Sequence, residues 1–193
     1  MRGKLVFVTG GIRSGKSEFA EFITSKLGNK ITYIATAEPV DEEMLLRIRL
    51  HRQRRPDTWQ TIEEAYRITE IIKENGHNSD VIILDCLTLL LSNLMYKKEK
   101  ESGGDFEKEF QTEILEEISI LAKTAAESAA HVVIVSNEIG MTLVSDNFLG
   151  RQYQEIVGKA NQIVAATADK AYLVVAGHPI DLKKEGAAIY DEY

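Results

Sequence analysis

The most chemically informative residues lie near the N-terminus of the chain. The segment from Gly10 to Ser17 matches the phosphate-loop pattern G-x-x-x-x-G-K-[ST]. It follows the apolar run Leu5–Val8 and precedes a helical pattern, as a phosphate loop requires. Glycines allow backbone N–H groups to turn toward phosphates, and the helix adds its positive N-terminal end. We therefore expect Lys16 to reach the outer phosphates, Ser17 to bind Mg²⁺, and the loop itself to cradle a nucleotide through Gly10, Gly11, Ile12, Arg13, Ser14 and Gly15.

A second candidate ligand for Mg²⁺ is Asp85, which directly follows the apolar run Val81–Leu84. The carboxyl ends of parallel strands are where α/β folds bind ligands, and a carboxylate binds Mg²⁺ directly or through water. The alternative is that Asp85 caps a helix beginning near Leu87 or Thr88. Cys86, the single cysteine, is interpreted as a small buried hydrophobe rather than as a nucleophile.

The third candidate is a histidine, His51, surrounded by the arginines Arg47, Arg49, Arg52, Arg54 and Arg55. On a helix, Arg47 and Arg55 would share its face. Cationic neighbours disfavour the imidazolium form and leave a lone pair that can attack phosphorus, giving a nucleotidyl-histidine. The alternative is a solvated charged helix on which His51 is a surface residue.

Polar residues also follow two other apolar runs. Thr36, Ala37 and Glu38 come after Ile31–Ala35, and Asn137 and Glu138 come after Val132–Val135. These ends should meet at one edge of a parallel sheet and line one crevice, although each set could instead satisfy turn backbone groups.

The elements that must position these residues alternate along the chain. Short runs rich in Val and Ile predict buried parallel strands over Leu5–Val8, Ile31–Ala35, Val81–Leu84, Val132–Val135 and Ala171–Val175. Longer segments predict helices over Ser17–Leu27, Glu42–Arg54, Ile62–Asn75, Phe106–Glu127 and Phe148–Ala168. This alternation predicts an α/β fold with a mostly parallel sheet flanked by helices.

Three local predictions concern the connections. Thr61 and Glu64 form a capping-box pattern, which would put Glu63 in the first turn of a helix. There the Glu63 carboxylate would either stabilise the helix or accept a hydrogen bond from a ribose or base. Lys97–Asp105 is expected to be an exposed loop. The tail from Lys183 to Tyr193 could be a short strand, a partner-contacting arm or a frayed end.

Composition limits the class of protein. The 193 residues include 30 acidic and 23 Lys or Arg residues, which gives a formal charge of −7. This acidity argues against a general nucleic-acid binder, and the length favours a single domain over residues 1–193. A single cysteine suggests the reducing cytoplasm, and no apolar run approaches the length of a membrane span.

Together, these motifs resemble the bifunctional adenosylcobinamide kinase / adenosylcobinamide-phosphate guanylyltransferase family of cobalamin biosynthesis. The resemblance depends on the phosphate loop, the Tyr33–Ala37 segment, the H-R-x-x-R-P-x-x-W segment His51–Trp59 and the N-E-x-G segment Asn137–Gly140. The phosphate loop alone is generic, but the combination is specific.

The resemblance implies a phosphate-loop nucleotide-binding fold and two reactions. Adenosylcobinamide would be phosphorylated by ATP or GTP, and GMP would then pass from GTP to adenosylcobinamide phosphate through a guanylylated His51. It also implies a homotrimer with sites near subunit interfaces. The nucleotide site would be completed by Thr36, Ala37, Glu38, Arg52, Gln53, Arg54, Arg55, Glu63 and Asp85.

Two other functions use the same motifs. A small-molecule kinase with a phosphate loop would lack guanylyltransferase activity, and a nucleotide-binding switch would act through loop ordering. The switch is disfavoured because the chain contains no N-K-x-D guanine-reading motif.

Overall fold

The structure is a computed structural model, and it describes residues 2–38, 42, 52, 56–103 and 108–190. The predicted helix Glu42–Arg54 therefore lies almost wholly outside the described residues.

Within these described ranges, seven strands form one sheet in the order β3-β2-β4-β5-β1-β6-β7. Their bounds are β1 Leu5–Gly10, β2 Ile31–Ala35, β3 Gln60–Glu63, β4 Val81–Asp85, β5 His131–Val135, β6 Lys170–Val175 and β7 His178–Asp181. Every pairing is parallel except that of β7, which runs antiparallel to β6 at one edge. The predicted α/β class and its five predicted strands are confirmed.

Six helices are described. They are α1 Lys16–Leu27, α2 Ile68–Asn75, α3 Leu87–Glu101, α4 Lys108–Glu127, α5 Phe148–Thr167 and α6 Leu182–Tyr190. Helix α1 has Glu18 in its first turn and Lys26 in its last, so both charges complement the helix dipole. Asn147 caps α5, its Oδ1 accepting from the Gly150 N–H at 2.6 Å.

The sheet is covered on both faces, which explains why its central strands contain uninterrupted apolar runs such as Leu5–Val8, Val81–Leu84 and Val132–Val135. On one face, side chains such as Phe7, Leu84 and Ile134 pack against α2, α3, α4 and α5. On the other, side chains such as Val8 and Ile83 pack with α1. Both packed layers hold the carboxyl ends of β1, β4 and β5 side by side at one edge of the sheet.

The prediction of a helix over Ile62–Asn75 is wrong in its first half. Gln60–Glu63 is an edge strand paired with β2, and the helix begins only at Ile68. Glu63 is therefore the last residue of β3 rather than part of a helical first turn. This short segment pairs with β2 along its whole length, and this tertiary contact overrides the local capping pattern.

Two connections also differ from prediction. Residues 97–101 belong to α3 because their Lys and Glu side chains favour helix and Lys98 pairs with Glu113 at 2.5 Å. The tail forms α6 as far as Tyr190, and Lys183 donates to the carbonyls of Ala166 and Ala168. None of the described helices is both long and apolar enough to cross a membrane.

Candidate nucleotide-binding and catalytic site

The phosphate loop joins β1 to α1 in a turn that requires unusual backbone angles. Gly15 has φ of 92° and Arg13 has φ of 55°. The Ser14 N–H donates to the Gly11 carbonyl at 3.2 Å, and the Phe19 N–H donates to Gly15 at 3.0 Å as the helix begins. The N-terminal end of α1, with its free N–H groups, therefore faces the carboxyl edge of the sheet, as phosphate binding requires.

A second element supports this loop, and sequence reasoning missed it. The β6–β7 hairpin passes beside the loop, and the Gly177 N–H donates to the Ser14 carbonyl at 2.8 Å. A Cβ at Gly15 would lie 3.1 Å from the Gly177 Cα, and a Cβ at Gly10 would lie 2.6 Å from the Val174 carbonyl oxygen. The glycines thus allow the loop to lie directly against the hairpin.

Lys16 lies in the first turn of α1 and points back over the loop. Its Nζ donates to the Gly11 carbonyl at 3.2 Å. Burial lowers the pKa of Lys16, and the negative charges of its neighbours, including Asp85, oppose this shift only in part. The structure therefore brings the predicted lysine and the predicted carboxylate into one electrostatic neighbourhood.

Asp85 ends β4, and its Oδ2 accepts from the Tyr33 hydroxyl at 2.5 Å. The helix that follows has Cys86 at its N-cap position and no side-chain cap hydrogen bond, so the interpretation of Asp85 as a helix cap is wrong. Tyr33 was missed, although a tyrosine within a buried aliphatic strand indicates that its hydroxyl has a partner.

The donor set at this edge fits a hard cation. The half-buried Ser17 supplies a hydroxyl in the first turn of α1, and Asp85 supplies a carboxylate; both are oxygen ligands of the kind Mg²⁺ prefers. Across the part of the chain that the structure describes, no three His, Cys, Asp or Glu side chains cluster as a protein-only metal site. Two protein ligands completed by phosphate oxygens and water are typical of Mg²⁺ at nucleotide sites.

Thr36 holds the segment after Asp85 in place. Its fully buried Oγ1 donates to the Cys86 carbonyl at 2.8 Å and accepts from the Cys86 N–H at 3.0 Å. The Thr36 carbonyl in turn accepts from Asn93 of α3 at 2.8 Å. Cys86 is 7% exposed, and burial raises its pKa to about 11, so the prediction that it is a buried hydrophobe is confirmed.

A buried polar network lies at the end of β5. Ser136 donates to Asn161 of α5 at 2.6 Å, and Asn161 donates to the Asn137 carbonyl at 3.0 Å. Asn137 then donates to the Thr88 hydroxyl at 3.0 Å, and Tyr153 donates to the Thr88 carbonyl at 3.0 Å. This network fixes the first turn of α3 to the loop after β5, beside the phosphate loop.

The remaining predicted residues lie farther along the same edge. Ala37 and Glu38 are half-buried, and Glu38 accepts from the Tyr66 hydroxyl at 3.1 Å. Glu63 contacts Arg52 at 3.5 Å, but both side chains are more than 60% exposed, and such pairs contribute little stability. His51, Gln53, Arg54 and Arg55 lie outside the described residues.

The fold and site define a phosphate-loop nucleotide-binding protein, and solved structures support that class. An ATPase from the type III secretion system of pathogenic bacteria matches with a TM-score of 0.58 at 11% identity, covering 96% of this chain and 54% of that one. The type III secretion ATPase EscN of enteropathogenic E. coli matches with a TM-score of 0.53 at 12% identity, covering 95% and 45%. These similarities show the fold.

The family is shown by sequence. The model of the cobinamide kinase / cobinamide phosphate guanyltransferase family matches residues 6–182, and the chain belongs to this family. It is 36% identical over 185 residues to the bifunctional adenosylcobalamin biosynthesis protein CobU of Escherichia coli and to that of Salmonella typhimurium, covering 93% of this chain and 99% of each relative. The CobP protein of Pseudomonas aeruginosa is 35% identical, covering 92% of this chain and 96% of that protein. The chain is thus a bifunctional enzyme, a cobinamide kinase and cobinamide phosphate guanylyltransferase.

Proposed function

We propose that one catalytic domain performs both reactions at the sheet edge formed by β1, β4 and their loops, and that the guanylyl group is carried by His51. The observation that supports this proposal is the convergence of three features at one edge: the phosphate loop with Lys16, the Asp85 carboxylate, and the chain ends that flank the His51 segment. Glu38 precedes that segment, and β3 follows it closely.

In the kinase reaction, the hydroxyl oxygen of the adenosylcobinamide aminopropanol arm attacks the γ-phosphorus of ATP or GTP. The bond from that phosphorus to the bridging oxygen breaks, the hydroxyl proton is released, and a nucleoside diphosphate leaves. The loop N–H groups and Lys16 neutralise the charge on the transferred phosphoryl group. To do so, Lys16 exchanges its hydrogen bond with the Gly11 carbonyl for one with a phosphate oxygen.

Ser17 and Asp85 would hold Mg²⁺ with the nucleotide. When bound, the ion neutralises phosphate charge and orients the β- and γ-phosphates. Tyr33 fixes the Asp85 carboxylate by donating to one of its oxygens, and Thr36 fixes the backbone that follows.

In the transferase reaction, a ring nitrogen of His51 attacks the α-phosphorus of GTP, and pyrophosphate leaves as the bond between the α-phosphorus and the bridging oxygen breaks. A phosphate oxygen of adenosylcobinamide phosphate then attacks the same phosphorus. The phosphorus–nitrogen bond breaks, His51 is restored, and adenosylcobinamide-GDP is formed.

The rest of the nucleotide site is proposed to include Arg52, Gln53, Arg54, Arg55 and Glu63, with Glu38 and Ala37 at its rim.

We also propose a homotrimer. It is supported by the exposed apolar side chains of the segment before α5, among them Met141 at 81% and Leu143 at 93% exposed, which a second subunit would cover.

The test is to incubate the protein with Mg²⁺ and GTP labelled at the α-phosphate and to measure intact mass. We expect one GMP per chain on the wild type, none on His51→Asn, and phosphorylation of cobinamide by that variant at close to the wild-type rate. The matched control is His77→Asn, because His77 is an exposed histidine after α2.

Equal loss of both activities in His51→Asn would contradict the division of labour. A wild type that binds GTP and phosphorylates cobinamide but forms no adduct would indicate a kinase alone. Nucleotide binding with no turnover would indicate a switch.

A further inference from the structure

An open groove outside the nucleotide site lies between the loop after β3 and the C-terminal half of α3. Its volume is about 610 Å³, within the usual size range of ligand sites. Tyr66 and Arg67 line one side, and Tyr96, Lys97 and Lys100 line the other. No role in the reactions described above uses these five side chains.

The groove adjoins the catalytic edge through two direct contacts. The Tyr66 hydroxyl donates to Glu38, which the proposed function places at the rim of the nucleotide site. Asn93, one turn before Tyr96 and Lys97, donates to the carbonyls of both Thr36 and Ala65. Tyr96 lies about 13 Å along α3 from its start beside Asp85, given a rise of about 1.5 Å per residue. The groove therefore begins at the rim of the proposed nucleotide site.

The aromatic side chains give the groove flat apolar surfaces. Tyr96 is 61% exposed although it is large and aromatic. It also borders a second cavity of about 300 Å³, which Met95 and Leu149 help to line. Tyr96 thus separates two adjacent concavities, and together they offer a wide, shallow surface suited to a broad flat ligand rather than a narrow one.

The charges of the groove favour an anionic group at its rim. Lys97 and Lys100 contribute cations against the carboxylates of Glu64 and Glu101, and Arg67 adds a third cation that also pairs with Glu74 at 3.8 Å. Glu64 already accepts hydrogen bonds from the backbone N–H groups of Tyr66 and Arg67 at 3.0 and 3.2 Å. The Lys97 ammonium lies 5.7 Å from the centre of the Tyr66 ring, which holds that cation over the groove.

We propose that this surface, centred on Tyr96, binds the corrinoid acceptor, cobinamide or cobinamide phosphate. The broad macrocycle packs on Tyr96 and Tyr66, and Lys97, whose ammonium lies over the Tyr66 ring, attracts the phosphate on the arm that extends toward the nucleotide site. This inference rests on the proposed function, because only that function supplies a corrinoid acceptor. It adds the location of the acceptor, which the phosphate loop and His51 leave open.

The test is equilibrium dialysis of cobinamide against the full-length protein without nucleotide. We expect Tyr96→Ala to weaken cobinamide binding about tenfold and Tyr96→Phe to bind within about threefold of wild type, because the ring supplies the contact. The matched control is Phe22→Ala, since Phe22 on α1 is an aromatic of similar exposure, 57%, distant in sequence from the groove. Guanylyl-enzyme formation from GTP, which needs no corrinoid, reports whether each variant retains a folded nucleotide site.

A second arm tests the charge with Lys97→Gln, measuring KM for cobinamide phosphate and for cobinamide. We expect the KM for the phosphorylated acceptor to rise more than that for cobinamide, and Lys123→Gln on α4 to change neither. Equal corrinoid affinity in wild type and Tyr96→Ala, while wild type still turns over both substrates, would overturn the corrinoid site alone. A wild type that neither binds nor phosphorylates cobinamide would overturn the proposed function and this inference with it.

Discussion

At the scale of single residues, the catalytic edge consists of groups whose positions are fixed by a second layer of contacts. Asp85 is held by the Tyr33 hydroxyl, and the backbone after it is held by the buried Thr36 side chain. The types of the primary residues were predictable because a phosphate loop has a characteristic pattern. Tyr33 and Thr36 were not assigned as supports because their partners are distant in sequence and are brought together only by the β2–β4 pairing.

The pKa of Lys16 predicts how the rate of guanylyl-enzyme formation depends on pH. Because burial lowers its pKa, Lys16 loses its proton at a lower pH than an ordinary lysine does. In the proposed mechanism the Lys16 cation meets the phosphates, so kcat/KM for GTP in guanylyl-enzyme formation should fall as pH rises through that pKa. Lys16→Arg should remove this alkaline decline, and Lys16→Met should lower the rate about 10²-fold or more at all pH values.

The measurement is the pH–rate profile of adduct formation over the neutral to alkaline range. Lys26→Met, a change at the far end of the same helix, is the control and should keep the wild-type profile. An alkaline decline that persists unchanged in Lys16→Arg would assign the titration to another group.

At the scale of elements, the loop and the β6–β7 hairpin act as one unit. Gly15 needs φ of 92° and lies against Gly177. Gly15→Ala should therefore cost about 1–2 kcal/mol from the left-handed backbone alone and should weaken nucleotide binding further as the hairpin is displaced. Urea unfolding and GTP binding measure the two effects. Gly158→Ala is the control, because a Cβ at that position in α5 meets no atom within 4 Å and alanine favours helix. If Gly15→Ala bound GTP as wild type does, the fit of the loop against the hairpin would not matter for binding.

The elements also show where sequence patterns succeed and where they fail. The buried runs rich in Val and Ile correctly predicted the five inner strands, because both faces of a covered parallel sheet must be apolar. The two edge strands, β3 and β7, were missed. They are short and half-exposed, with burial set by a single neighbouring strand, so no continuous apolar run marks them. At Thr61 and Glu64 the capping pattern favoured a helix that pairing with β2 prevents.

In the molecule as a whole, Asp169 ties the connection between α5 and β6 to the N-terminal segment and the start of β1. Its Oδ2 accepts from the Leu5 N–H at 2.8 Å, and Arg2 pairs with its Oδ1 at 2.8 Å. Burial acts to raise the pKa of Asp169, but the Leu5 N–H and the Arg2 guanidinium outweigh it, and the pKa lies below its ordinary value.

A group whose pKa is depressed in the folded state stabilises the fold above its unfolded pKa, and this contribution is lost as pH falls through the folded pKa. Asp169→Asn should therefore lower the free energy of unfolding by about 1 kcal/mol at neutral pH. The difference from wild type should shrink in acid, below about pH 4. Urea unfolding at both pH values measures it, with Asp146→Asn as the exposed control. A deficit that stays constant with pH would mean that the carboxylate charge is not what stabilises this junction.

In the proposed mechanism, guanylyl-His51 lies on the path to product. The direct measurement is a single-turnover chase: guanylyl-enzyme carrying labelled GMP is isolated, freed of GTP and mixed with cobinamide phosphate. We predict that the label moves into cobinamide-GDP at least as fast as steady-state turnover, and that His51→Asn, which forms no adduct, makes no cobinamide-GDP. A label that stays on the protein or leaves more slowly than turnover, or product formed by His51→Asn, would contradict the account.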